Sequence, residues 1–242
     1  MSTGLQSPLH YYTDRRRKEL IMRLLKPVEG ERLLDIGCGS GTYSRFFRGK
    51  GCDVTGVDPS QHMLDLARRK LGERAELCPG DYEDLPFSDN EFDIVTLIFP
   101  DSACNLQNAI NEAIRVCRGR IFLGTRNRYS PTSAHGKMKT MPYRDAHPSS
   151  IPELIRLIRL TLPDTTIRWG SVIFLSSKWH PAVSAIEERI PVMKNPFGSF
   201  IGLAFPVTYN RITVQDHLGN SSKAKAKGRY PEPGVASRRI GK

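Results

Sequence analysis

The chain has 242 residues, with 36 Lys plus Arg against 25 Asp plus Glu and a formal net charge of +11. At 39% hydrophobic residues and a mean hydropathy of −0.39 it can bury a core, and no run approaches the roughly eighteen apolar residues of a transmembrane helix. Cys38, Cys52, Cys78, Cys104 and Cys117 are scattered without a C-x-x-C pair, and the N-terminus lacks an apolar signal core; this argues against a disulfide framework, a structural zinc site and secretion, and for a reducing, cytoplasmic setting.

The first periodic segment places Leu20, Ile21, Leu24 and Leu25 on one face behind the cations Arg15 to Lys18, which predicts a helix over about 8–28. Arg32 to Ile36 reads as a buried strand running into the glycine turn Gly37-Cys38-Gly39-Ser40-Gly41. Tyr43, Phe46 and Phe47 follow at helical spacing. A second strand, Asp53 to Val57, ends at Asp58-Pro59, and Ser60 caps a helix with Met63, Leu64, Ala67 and Leu71 on its apolar face.

A third strand, Ala75 to Cys78, leads into Gly80-Asp81-Tyr82. A fourth, Phe92 to Phe99, is almost wholly apolar and so is covered on both faces. Next come a helix with Leu106, Ala109, Ile110, Ala113, Ile114 and Cys117 on one face, and a fifth strand over Arg120 to Thr125. Ser150 with Glu153 forms a capping-box pattern. Two further β-rich runs, Thr165 to Leu175 and Phe200 to Val207, flank a short helix around Ala182 to Ile190; Tyr129 to Ser149 shows no periodicity. The alternation predicts a doubly wound α/β sheet in a single domain over 1–219. Residues 220–242 hold seven cations against one anion, the composition of a disordered basic tail.

The chemistry concentrates in the glycine turn. Glycines at a strand-to-helix junction let the backbone approach a ligand and leave helix N–H groups free. Asp58 stands at the end of the next strand, where a carboxylate can accept both hydroxyls of a ribose. A dinucleotide fingerprint needs G-x-G-x-x-G, and its third glycine would fall on Thr42. The pattern present is G-x-G-x-G with Asp35 two residues ahead of Gly37. It resembles motif I of the class I S-adenosylmethionine (SAM) dependent methyltransferases. Gly56 to Leu64, Gly80 to Phe87 and Phe92 to Val95 resemble the segments that follow in that family, so the likeness runs from about Glu31 to Gly124. It is nearest to the type 11 group typified by ubiquinone and menaquinone methyltransferases.

That resemblance implies a Rossmann-like class I fold with a seven-stranded, mostly parallel sheet and an antiparallel last strand. It also implies a cofactor, SAM, a product, S-adenosylhomocysteine, and no metal. Carried across, Gly37, Gly39 and Gly41, with Cys38 between them, pack against the methionine part. Asp35 orients the loop and the ligand amino group, and Asp58, followed by Pro59, holds the ribose. Asp81 accepts from the adenine amino group, the Tyr82 amide faces the ring, and Met63 and Ile98 sandwich it, although both also suit plain core packing.

The reaction expected is in-line displacement, in which alignment and exclusion of water matter most. A base is required only when the nucleophile must lose a proton, and no dyad is apparent. His10, His62, His135 and His147 are candidate bases by residue type, since an unperturbed imidazole is the physiological-pH base, yet none is assigned. Substrate-side candidates are Tyr11 and Tyr12 ahead of the first helix, Phe99 and Asp101 after the fourth strand, and Arg126, Arg128 and Tyr129 after the fifth. Arg16 or Arg17 is a candidate partner for the SAM carboxylate. Arginines at the rim suit a small, anionic acceptor. Two alternatives stay open: an RNA or protein methyltransferase, for which no binding module is visible, and a SAM-binding regulator without transfer activity. Oligomeric state is not legible.

Overall fold

Neighbouring apolar residues in a strand point to opposite faces, so an unbroken apolar strand needs a cover on each side. β1 (Arg32–Ile36) shows this in a computed structural model that describes residues 8–99, 104–130, 148–174 and 189–207. Leu33 packs on one face and Leu34 and Ile36 on the other. Parallel to β1 run β2 (Asp53–Asp58), β3 (Glu76–Pro79), β4 (Phe92–Ile98) and β5 (Cys117–Arg126). β6 (Arg168–Val172) and β7 (Phe200–Pro206) complete a seven-stranded sheet in the order β3-β2-β1-β4-β5-β7-β6. β7 is antiparallel to both of its neighbours. The predicted sheet and its antiparallel last strand are therefore present.

Five α-helices cover the sheet among the described residues: α1 (Pro8–Leu25), α2 (Thr42–Arg48), α3 (Gln61–Leu71), α4 (Leu106–Val116) and α5 (Ile151–Thr161). α4 and α5 place Leu106, Ile110, Leu154 and Ile158 against Leu34, Val95, Ile121 and Leu203. On the other face α1 and α2 place Leu20, Leu24 and Phe47 against Leu33, Ile94, Phe122 and Phe200. Each such buried side chain contributes about 1.5–3 kcal/mol.

Local signals set the helix starts. The Ser60 hydroxyl accepts from Met63 N–H, and the Asn105 side chain accepts from the Gln107 and Asn108 amides. Ser150 and Glu153 form the predicted capping box. Arg120 fixes where α1 stops. Its guanidinium donates to Leu25 O at 2.7 Å and Lys26 O at 2.9 Å, and to both carboxylate oxygens of Glu31 at 2.8 Å. A basic side chain on the sheet thus satisfies the orphan carbonyls of a helix end.

Several boundaries differ from the sequence reading. α1 ends at Leu25, where the carbonyls are taken by Arg120, rather than near residue 28. α4 ends at Val116, and Cys117 opens β5 instead of continuing the helix face. The pairing of β4 with β5 shifts register between Phe92 and Ile94. There Gly119 is required, since a Cβ would lie 2.2 Å from Asp93 O. Met63 is 40% exposed on α3, which buries Leu64, Ala67 and Leu71. Most of the expected helix over residues 182–190, most of the 129–149 loop and the basic tail lie outside the described residues. No described helix is long and apolar enough to cross a membrane.

α1 lies close on the sheet because β6 and β7 offer glycine where it crosses. A Cβ on Gly202 would sit 2.8 Å from Phe122 Cζ and 3.2 Å from Leu20 Cδ2. Gly202→Ala should therefore cost about 1–3 kcal/mol through overpacking, read by urea denaturation.

Candidate functional site

The parallel strands all end on one edge of the sheet, the side where open α/β sheets bind ligands. The glycine turn leaves β1 on that edge. Gly37, Gly39 and Gly41 have φ of 69°, 51° and 76°, a left-handed region that costs an L side chain about 1–2 kcal/mol. A Cβ at Gly37 would lie 3.0 Å from the Tyr82 ring, whereas one at Gly39 would meet no atom within 4 Å. At Gly41 it would lie 2.9 Å from Leu71 and 3.2 Å from Ala67. Gly41 thus serves the close approach of α2 to α3. Gly37 serves the seat of Tyr82, and Gly39 is where the loop presents bare backbone.

β2 holds this loop in place. The amides of Gly37 and Cys38 both donate to Val57 O, at 2.8 and 3.1 Å. Gly39 N–H donates to one Asp58 carboxylate oxygen and Ser60 N–H to the other, each at 2.9 Å. Asp58 is only 5% exposed. A carboxylate has about four acceptor positions, so this one, with two used, retains capacity for two more donors. Those two acceptor positions fit the hydroxyls of a vicinal diol such as a ribose.

Asp35 faces the interior. Its carboxylate accepts from Ser44 Oγ on α2 at 2.6 Å and from Thr96 Oγ1 on β4 at 2.9 Å. Burial pushes its carboxyl up to about 6; the two hydroxyls pull it back, and the neighbouring Asp58 charge adds to the rise. Asp35 therefore ties β1, the first turn of α2 and β4 together beneath the loop. Ser44 and Thr96 escaped the sequence reading, although a hydroxyl on an apolar helix face and one in an apolar strand were visible signals.

The loop after β3 is also held by side chains. Asp81 is exposed at the strand end and accepts from Glu83 N–H at 3.0 Å. Glu83 in turn accepts from Asn105 N–H at 2.7 Å and from the Asn108 amide at 2.8 Å, joining this loop to the start of α4. Tyr82 is half-buried on Gly37.

Other sequence-predicted residues are placed differently. The Cys38 side chain turns inward, with Sγ 3.0 Å from where a Gly56 Cβ would be, and burial pushes its thiol far up. Only the backbone at this position is presented. Ile98 is 5% exposed and packs in the core beneath α1, while Met63 projects from α3, so the two expected sandwich partners have different surroundings. Pro59 is exposed beside Asp58. Tyr11 and Tyr12 lie within α1 rather than ahead of it, with Tyr11 exposed and Tyr12 buried.

At the far rim, Arg128 donates to Pro148 O and pairs with Glu153 at 3.3 Å. It braces the start of α5 rather than standing as a rim cation. Asn127 clamps Pro196 O and Gly198 O. Arg126 is half-buried at the end of β5, and Tyr129 is exposed. Phe99 is buried with φ of 57° and donates its amide to Gly124 O at 2.7 Å. A bulky residue in that region is strained and persists only where the surrounding structure holds it. The Arg17 guanidinium lies 5.2 Å above the Phe99 ring and 5.9 Å from that of Phe200. Asp101 lies outside the described residues, and His62 is exposed on α3.

Residues 33–119 match the family described as a methyltransferase domain. A demethylmenaquinone methyltransferase of Clavibacter sepedonicus is 38% identical over 106 residues, 42% of this chain and 43% of that protein. A malonyl-(acyl-carrier protein) O-methyltransferase of Enterobacter lignolyticus is 36% identical over 110 residues, 45% and 43% of the two chains. The match thus spans less than half the length of these curated relatives. A crystal structure described as a SAM-dependent methyltransferase, possible histamine N-methyltransferase, from Thermotoga maritima has the same fold. It is 20% identical, with a TM-score of 0.63 over 83% of this chain and 91% of that one.

The buried acid gives a pH test. Native Asp35 titrates at about 6 against 3.8 as the ordinary value, so the native state binds this proton more tightly. Its stabilising contribution is full below about pH 4 and is lost as pH rises through about 6. In urea denaturation, wild type should lose up to about 3 kcal/mol between pH 4 and 7 relative to Asp35→Asn.

Proposed function

We propose that this chain, whose residues 33–119 match a methyltransferase domain, is a class I SAM-dependent methyltransferase that transfers the SAM methyl group to a small-molecule acceptor. The observation that carries the reading is the Asp58 clasp: one buried carboxylate holds the glycine loop and keeps acceptor capacity at the carboxyl end of β2. When bound, SAM supplies an electrophilic methyl carbon on a sulfonium. Held by Asp58 and the backbone at Gly37 to Gly39, it would supply that methyl for transfer to the acceptor, with the electron pair of the C–S bond left on sulfur as neutral S-adenosylhomocysteine.

The chain's own residues orient and enclose. Asp58 accepts from the ribose hydroxyls, and the backbone at Gly37 to Gly39 lies along the methionine part. Asp81 and the Tyr82 amide meet the adenine edge, with Met63 over the ring. Asp35 is a positioning residue that acts through Ser44 on the first turn of α2. Phe99 and Arg126 border the acceptor side, and α1 excludes water from that rim. Proton removal is needed only for an acceptor whose nucleophile carries a proton.

A small acceptor agrees with the name of one relative, a demethylmenaquinone enzyme, while the other is named for a malonyl group borne on a carrier protein. All five cysteines are free, which supports a reducing, cytoplasmic setting.

Calorimetry with SAM, S-adenosylhomocysteine and NAD tests this reading. Wild type should bind the first two and not NAD. Asp58→Ala should weaken SAM by about 1–3 kcal/mol, the scale of leaving ligand hydroxyls unpaired. A folded wild-type protein that binds no SAM would end the proposal.

A further inference from the structure

Arg16 is the most unusual charge among the described residues. It is 5% exposed, and burial of an arginine normally demands full pairing. Its Nη1 donates to Glu19 at 2.6 Å. Its Nε and Nη2 are buried and, among the described residues, have no hydrogen-bond partner. Those two nitrogens form one edge of the guanidinium, with parallel N–H bonds spaced to meet the two oxygens of a carboxylate. Glu19 fixes the opposite side and so aims this edge.

The position of α1 says what the edge faces. Arg120 and Arg168 bond the carbonyls of its last turn, at the start of β5 and β6. Arg17 lies over Phe99 and Phe200, at the end of β4 and the start of β7. The N-terminal half of α1 therefore overhangs the carboxyl rim. Leu20 fills the space above Gly170 and Gly202, on β6 and β7. Arg16 stands one turn earlier on that same side of the helix.

β7 is four strand spacings from β2, which carries Asp58, or roughly 19 Å. A cofactor whose ribose is held at Asp58 ends nearer β1 and β4 than β7. The Phe99 and Phe200 rings, 5.1 Å apart, make an apolar floor under Arg17, the residue next to Arg16 on α1. Arg17 is committed to those rings.

We infer that the Nε and Nη2 edge of Arg16 binds the carboxylate of an apolar methyl acceptor. This rests on the transfer reading above and deepens it. A carboxylate could also come from the methionine part of SAM, and the experiment separates the two sources.

Benzoate, a carboxylate on an apolar ring, and its neutral analogue benzamide are the probes. Each is titrated by calorimetry into protein saturated with S-adenosylhomocysteine. Wild type should bind benzoate at least about tenfold more tightly than benzamide, because only the anion pairs the edge. Arg16→Gln should weaken benzoate by about tenfold or more and shift S-adenosylhomocysteine affinity by less than about threefold. Arg16→Lys should behave similarly, since an ammonium cannot make the paired contact; it carries the test if the glutamine variant does not fold. Arg15→Gln removes the same charge from an exposed neighbour and should leave benzoate binding within about twofold.

Three results would overturn the inference: no saturable benzoate binding, equal binding of benzoate and benzamide, or a tenfold loss of S-adenosylhomocysteine affinity in Arg16→Gln with benzoate unchanged. The last assigns the edge to the cofactor. A wild type that binds benzoate but not S-adenosylhomocysteine would remove the transfer reading and the acceptor assignment with it, leaving an anion receptor.

Discussion

A buried carboxylate between two hydroxyls is the joint on which the site hangs. Asp35 lies at the penultimate position of β1, an interior strand of the sheet. Through Ser44 it grips the helix that follows the glycine turn, and through Thr96 the neighbouring strand. Burying a charge is expensive unless it is hydrogen-bonded. These two bonds make the position tolerable and convert the cost into geometry. With the first turn of α2 fixed to β1 and β4, the turn between β1 and α2 has both ends held. Glycine then lets the short span close in left-handed backbone conformations.

The second constraint is shared rather than added. Val57 O and Asp58 at the end of β2 take three successive amides from the turn, those of Gly37, Cys38 and Gly39. Under the proposed function the same carboxylate also takes the ribose hydroxyls. Loop shape and ligand affinity are therefore coupled through one side chain. The β3 loop is held by a parallel device, with Glu83 capping the start of α4. The rim is built from strand ends and helix starts, each tied to the next by a short polar side chain. That is how loops on a rigid sheet acquire the precision a site needs.

Much of this was legible in sequence. Strand identity followed from apolar runs, and the turn chemistry from Gly37, Gly39 and Gly41, because period and backbone freedom are local properties. The antiparallel pairing of β7 followed from likeness rather than from pattern. What escaped depends on contacts distant in the chain. Ser44 and Thr96 acquire meaning only when 9 and 61 residues of separation collapse onto Asp35. Arg128 resembled a ligand-facing cation until Glu153 came beside it. Ile98 and Met63 were equally apolar in sequence, and only burial separates them. Cys117 fitted the α4 helical period, but tertiary pairing with β4 overrode it.

The placement of β7 bears on the order in which the protein is made. It is inserted between β5 and β6, although it follows both in the chain. The five parallel strands from β3 to β5 can zip together as they emerge during synthesis. β6 has no partner until residues 200–206 arrive, because its ladder is with β7 alone among the described strands. Until then the β5 edge is open as well, an unpaired ladder of the kind that invites association between chains. Biosynthesis thus leaves the β7 and β6 end of the rim for last, after the end built on β1 to β5 already has its neighbours.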